Sequence, residues 1–371
     1  MIYLDYNATA PLRPIVLDAM MREYSQPLNP SSVHKLGRHA HKILEDARAT
    51  IAHHVACFPN EILFTSSGTE ANNMVLRGFP ERSLLVGASE HASILKLAHM
   101  LGADILPVDA NGLLKLDILE ARLASLARPA LVSVMLVNNE TGVIQPIAEI
   151  ARIAHAHGAL LHTDAAQALG KIPLDVGLLG ADMMTLCTHK IGGPVGIGAL
   201  MLRNDIAIKP LLLGGGQELG RRAGTEPLAL ISGFAALVQE VAHCPESAAL
   251  NLLRDKLEAD IMAIAPDAVI HGMAAPRVCN TSSIAMPCAT SETQLMHFDL
   301  SGFALSAGSA CSSGRIATSH VLSAMEVAQS LANNTIRVSL GWQTTHLEIE
   351  QFVDGWKALY ARLSANNKRS A

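Results

Sequence analysis

The chain has 371 residues, half of them apolar, 16% charged and 4% aromatic, with a net charge of −5 from 28 basic and 33 acidic side chains. This composition can bury a sizeable core and excludes a disordered chain, while the acidic balance and scarce aromatic platforms argue against a nucleic-acid partner or an anionic membrane. Six cysteines without a CxxC pair, no secretory leader and no apolar run near the roughly 20 residues of a membrane span lead us to expect a reduced, cytoplasmic setting.

From about Glu61 to Leu202, short β-rich runs alternate with helical patterns: EILFTSS, SLLVGAS, ADILPVD, ALVSVMLVN, ALLHTD, ADMMTLCT and GIGALML. Runs this apolar and non-alternating predict strands buried on both faces, hence a mostly parallel sheet sandwiched by helices in a doubly wound α/β domain. The stretch from Pro146 to His157 reads as an amphipathic helix opened by proline and closed by Gly158. After Thr225 come two long helical stretches, Glu226 to His243 and Glu246 to Ile264, broken at Pro245. From Asp267 onward, the strand-like runs DAVIHG, NTSSIAM and TIRVSL mix with helices over Glu292 to Leu300 and Leu347 to Leu363. The expected division is a large α/β domain over 15–260, and a small α+β domain over 1–14 and 261–371.

In an open parallel sheet, ligands gather at the carboxyl ends of the strands. Ser66–Asn73 (SSGTEANN) follows one such end and leads into a helix. Its small residues, the helix amino end and the Thr69 hydroxyl suit a phosphate, although Ser67 or Thr69 acting as a plain helix cap accounts for the pattern equally well. No GxGxxG or Walker A run is present. Asp164 ends ALLHTD, with Gln167 one helical turn on; such a carboxylate can keep a heteroaromatic ring nitrogen protonated, or simply cap a helix starting AAQA. Cys187-Thr188-His189-Lys190 follows ADMMTL, and a lysine at a buried strand-to-loop crossing is exposed, paired or covalently used. Taken alone it is most often solvated. Together, an anion cradle, a ring-nitrogen carboxylate and an imine-forming lysine are the parts of a pyridoxal phosphate site.

Arg337, inside TIRVSL, calls for a bidentate carboxylate from substrate or protein. Cys311 lies in SAGSACSSG, small and hydroxylic residues that read as a mobile exposed loop, whereas Cys57, Cys244, Cys279 and Cys288 read as buried inert thiols. His91 ends another strand, within SEHAS. His155 and His157 stand two apart on a helix and share no face, so no metal site is expected.

The motifs SSGTEANN, SEHAS, VNNETGVIQP, HTDAAQALGK, THK, GGGQELGRRAGT, SAGSACSSG and IRVSLG follow one another between residues 66 and 341, behind YLDYNATAPLRP and NPSSVH. In this order and spacing they resemble the NifS-like cysteine desulfurases of the class V aminotransferase group over nearly the whole chain. The resemblance implies a fold-type-I pyridoxal 5'-phosphate homodimer that converts L-cysteine to L-alanine and leaves a persulfide on Cys311, for a sulfur acceptor such as an iron–sulfur scaffold. By motif match Lys190 would link to the cofactor, Asp164 would pair with its ring nitrogen, and His91 would stack on the ring and help move protons. Asn139 and Gln167 would contact the ring oxygen. Gly68, Thr69, Cys187 and His189 would hold the phosphate, joined by the partner subunit's Thr225. Arg337 with Asn29 would grip the substrate carboxylate.

Three positions depart from that pattern. Cys187 stands where serine is usual and is the poorer hydrogen-bond donor; Thr188 stands where glycine is usual, and its hydroxyl offers a replacement. Val195 occupies a position often held by lysine. Alternatives that keep the cofactor are a selenocysteine lyase or another lyase or transaminase; an alternative of another class is a non-catalytic sulfur-transfer scaffold.

Overall fold

The computed structural model describes residues 1–242, 246–308 and 318–370. After a short first strand, β1 (Ile2–Tyr3), the seven apolar runs become β2 (Ile62–Thr65), β3 (Ser83–Gly87), β4 (Asp104–Leu106), β5 (Ala130–Ser133), β6 (Leu160–Asp164), β7 (Met183–Cys187) and β8 (Gly198–Leu202). They form one sheet in the order β2-β8-β7-β6-β5-β3-β4. β3 to β7 pair in parallel, and β8 runs antiparallel between β2 and β7. Because β8 alone is reversed, β2 and β7 point the same way, and the carboxyl ends of β2, β3, β6 and β7 share one sheet edge.

Every residue of β2, β5, β7 and β8 is buried, as unbroken apolar strands require when helices cover both faces. Successive side chains alternate between the two covers. Ile62 and Phe64 join a cluster with Leu44, Ile51, Ile150 and Phe234, while Leu63 joins Met74, Val75, Ile94 and Leu97 on the opposite face. The helix expected after Pro146 spans Ile147–Ala156 and closes before Gly158, whose φ of +67° favours glycine. One expectation fails: the segment after Asp164 is no helix but a run of turns over residues 166–171, stopped where Gly170 takes φ +70°.

The two long helices run Leu228–Val241 and Glu246–Ile264. Beyond them, β9 (Val269–Ile270), β10 (Thr281–Ala285) and β12 (Thr335–Ser339) form an antiparallel sheet in the order β12-β10-β9, and β11 (Phe303–Ala304) pairs in parallel with β1. A separate cluster, containing Leu257, Ile284, Phe298, Ile336, Phe352 and Trp356, also takes in Leu4. The first residues of the chain thus pack on its last third. Among the described residues, no single helix is long and apolar enough to cross a membrane.

Candidate active site

The shared strand edge collects the polar motifs. At the end of β2, Ser67 caps the helix Gly68–Gly78, its side chain accepting from Glu70 N at 3.2 Å. Ser67 is therefore the cap, and the exposed Thr69 hydroxyl makes no bond among the described residues. Gly198, at the start of β8, passes so close that an added Cβ would lie 2.7 Å from the Ser67 carbonyl carbon and 3.0 Å from the Gly68 nitrogen. Only glycine lets the strand approach the loop this closely. Glu70 accepts from Ser66 N at 2.7 Å and pairs with Arg222 at 2.8 Å, which ties the GGGQELGRRAGT loop to the cradle.

At the end of β6, Asp164 is buried and held from two sides: its Oδ1 accepts from Ala166 N at 2.9 Å, and its Oδ2 accepts from Asn72 at 2.8 Å. The other Asn72 amide hydrogen goes to Ser93 Oγ at 2.9 Å, and that hydroxyl lies 2.8 Å from His91 Nδ1. His91 Nδ1 also accepts from Ser93 N, so the neutral ring carries its proton on Nε2. Burial first, then the Lys190 and His320 charges, lower the His91 pKa against the opposing pull of Asp164. A single hydrogen-bonded chain, His91–Ser93–Asn72–Asp164, thus joins two of the predicted site residues.

At the end of β7, Cys187 is buried, and burial raises its thiol pKa, so it stays neutral. Thr188 does not supply the missing hydroxyl: it is fully buried and its Oγ1 donates to the Pro194 carbonyl at 2.7 Å. That hydroxyl is consumed closing the loop. Burial and Lys190 pull His189 down to about 4. Lys190 is half-buried, and its amine has no hydrogen bond or ion pair among the described residues.

Arg337, on β12, meets a protein acid rather than an open subsite. Its Nη2 donates to Asp5 Oδ1 at 2.6 Å and its Nη1 to the Asn139 carbonyl at 3.1 Å. The pairing is one-pronged rather than bidentate, and the buried Nε has no partner among the described residues. Asn139 also accepts, through its carbonyl, from Asn7 Nδ2 at 3.2 Å. Gln167 is buried and donates from Nε2 to the Asn7 carbonyl at 3.0 Å.

Not every predicted residue is drawn in. Asn29 sits in an exposed loop, where its Oδ1 accepts from Ser31 N, and no contact joins it to Arg337 among the described residues. Thr225 is exposed, three positions past Arg222. Cys311 and Cys244 lie outside the described residues. Residues that sequence reasoning passed over include Asp5, Asn7, Asn72, Ser93 and Lys171. All five lie within the motifs YLDYNATAPLRP, SSGTEANN, SEHAS and HTDAAQALGK, so motif membership was the available signal. Glu140 was likewise missed; it is buried and accepts from Ser319 Oγ at 2.5 Å.

Comparison with known proteins places this geometry. The aminotransferase class-V profile matches residues 2–352. A cysteine desulfurase of Cereibacter sphaeroides is 40% identical over 95% of this chain and 94% of its own length. The cysteine desulfurase NifS of Azotobacter vinelandii is 39% identical over 98% of this chain and 93% of its own. The X-ray structure of a NifS-like protein from Rickettsia africae superposes with a TM-score of 0.91 at 35% identity, covering 97% of this chain and 99% of that one. The chain belongs to the class-V aminotransferase family and, within it, to the NifS-like cysteine desulfurases.

Proposed function

We propose that the chain converts L-cysteine to L-alanine with pyridoxal phosphate, passes the sulfur to Cys311 as a persulfide, and hands it on to an acceptor such as an iron–sulfur scaffold. The observation that carries the reading is the uncommitted amine of Lys190 on the same sheet edge as the doubly held Asp164 and the glycine-lined turn at Gly68. These residues fit the cofactor. The Gly198 contact shapes a cradle for the phosphate, Asp164 offers a charge for the ring nitrogen, and Gln167 keeps one amide hydrogen without an acceptor among the described residues. When bound, pyridoxal phosphate supplies an aldehyde and an electron-withdrawing ring.

Each protein group then has a defined task. Gly68 and Thr69 hold the phosphate at the helix amino end, with Cys187 and His189 beside them. Asp164 keeps the ring nitrogen protonated by charge. Lys190 binds the aldehyde and afterwards moves the substrate's α-proton. His91, neutral with its hydrogen on Nε2, covers the ring and can pass a proton. Asn139 and Gln167 face the ring oxygen. Arg337, with Asn29, is read as receiving the cysteine carboxylate in exchange for Asp5, its Nε, without a partner among the described residues, being a spare donor for that anion.

The reading extends to the assembly. Ile15, Leu17, Met21 and Tyr24, exposed along the helix Pro14–Tyr24, suit a homodimer in which the partner subunit's Thr225 completes the phosphate site. Residues 15–260 and the combination of 1–14 with 261–371 are read as the two domains; the two main core clusters support a division near there, although Leu257 packs in the second cluster and Val278 in the first. The free thiols Cys57, Cys187, Cys279 and Cys288 suit a reducing cytoplasm.

The test is Cys311→Ala. Alanine production from cysteine should collapse, and mass spectrometry of the native chain after exposure to cysteine should find one extra sulfur atom on the peptide holding Cys311. Unchanged turnover in the variant refutes the persulfide route. Borohydride trapping and peptide mapping should locate the cofactor on Lys190 and on no other side chain.

A further inference from the structure

Lys171 is a buried amine that none of the roles above uses. Its Nζ donates to Asn7 Oδ1 and to Gln167 Oε1, both at 2.7 Å. Burial brings the Lys171 amine down to about 7; it donates in this arrangement, and the Asn7 backbone carbonyl can only accept. Both ends of the Gln167 amide are thereby assigned: its oxygen faces Lys171, and its nitrogen faces the Asn7 carbonyl with one hydrogen to spare. Asn7 is itself pinned, donating from Nδ2 to Thr281 Oγ1 at 2.8 Å and to the Asn139 carbonyl at 3.2 Å, while its Oδ1 also accepts from Asn280. Lys171 lines one narrow cavity together with Lys190.

We propose that Lys171 is a positioning residue of the cofactor site: by occupying the Gln167 oxygen it acts with the Asn7 carbonyl to make the amide nitrogen the end that meets the cofactor's ring oxygen. The inference rests on the reading that Gln167 contacts that oxygen. Without Lys171 the Asn7 carbonyl alone holds the carboxamide in this orientation, and any flipped state sets the Gln167 oxygen against the ring oxygen, acceptor to acceptor. A hydrogen bond to a charged acceptor lost in this way weakens binding by about tenfold.

The experiment measures pyridoxal phosphate binding to the apo chain, through quenching of intrinsic fluorescence, in the wild type, Lys171→Met, Gln167→Ala and the double variant. Each single change should weaken binding by about tenfold, and the double variant by no more than either alone. A Lys171→Met loss that persists undiminished in the Gln167→Ala background overturns the proposal, since Lys171 would then act elsewhere. Gln167→Glu provides a route that does not depend on how Lys171→Met folds: it keeps the acceptor for Lys171 but removes the donor, and should lose as much as Gln167→Ala. Wild-type binding by Gln167→Glu, beside a loss in Gln167→Ala, overturns the orientation argument. Wild-type binding by both overturns the underlying contact of Gln167 with the cofactor, a failure distinct from that of Lys171. A purely structural Lys171 would lower the unfolding midpoint of the apo chain without this dependence on Gln167.

Discussion

Gly198→Ala tests where the phosphate sits. The added Cβ would lie 2.7 Å from the Ser67 carbonyl carbon, 3.0 Å from the Gly68 nitrogen and 3.1 Å from the Leu186 oxygen. All three are backbone atoms, so no side-chain rotation relieves the clash. Ordinary contact begins at 3.4 Å, so strand and loop must part by about 0.7 Å. Overpacking of this kind costs about 1–3 kcal/mol. Part of that cost falls on the Gly68–Thr69 turn, where displaced amides no longer converge on an anion. The expected result is a loss of about tenfold in affinity for pyridoxal phosphate, with affinity for pyridoxal, which lacks the phosphate, changed by less than about twofold. Equilibrium binding to the apo chain measures both ligands, and Gly216→Ala, whose Cβ meets nothing within 4 Å, is the control. An equal loss for both ligands would refute the placement of the phosphate; wild-type affinity for both would refute the clash itself.

The remaining predictions probe stability and the loop beside Lys190. Arg48 is buried against Glu218, bonding both carboxylate oxygens at 2.8 and 3.0 Å, and Glu218 also accepts from Phe64 N. Arg48→Met strands that carboxylate and should cost about 3–5 kcal/mol in urea unfolding, with Arg48→Met/Glu218→Gln recovering part of it; a loss below about 1 kcal/mol contradicts the pair's burial. Burial pulls His162 and His271 down to about 4, so in acid the unfolded chain, titrating near 6.5, binds protons that the fold refuses. Stability should therefore fall as pH drops from about 6.5 to about 4, by about 1.4 kcal/mol per pH unit for each histidine, and His162→Gln should flatten the slope. Thr188→Val should cost about 1 kcal/mol by stranding the Pro194 carbonyl, yet leave pyridoxal phosphate affinity within about twofold. A tenfold loss of affinity would return that hydroxyl to the phosphate.

Much of this architecture is legible in one dimension. Each strand of the large sheet lies in a short, mostly apolar run, and burial on both faces leaves that mark whatever the neighbours are. Asp164, His91 and Lys190 stand at strand ends, so their arrival on a common edge follows from topology once the strands are identified. The turns after Asp164 misread as helix because AAQAL has good helix formers, while Gly170 at φ +70° halts the chain there.

The partners of those residues were a matter for three dimensions. Arg337 and Asp5 are 332 positions apart, and Lys171 reaches Asn7 across 164. No local pattern reports that the guanidinium already holds a carboxylate, that the Thr188 hydroxyl is spent on Pro194, or that Asn72 links His91 to Asp164. Apolar periodicity records only whether a side chain is buried. Hydrogen bonding depends on a few tenths of an ångström between loops from distant parts of the chain, and those distances exist only once the helices, the sheets and the amino-terminal segment have packed together.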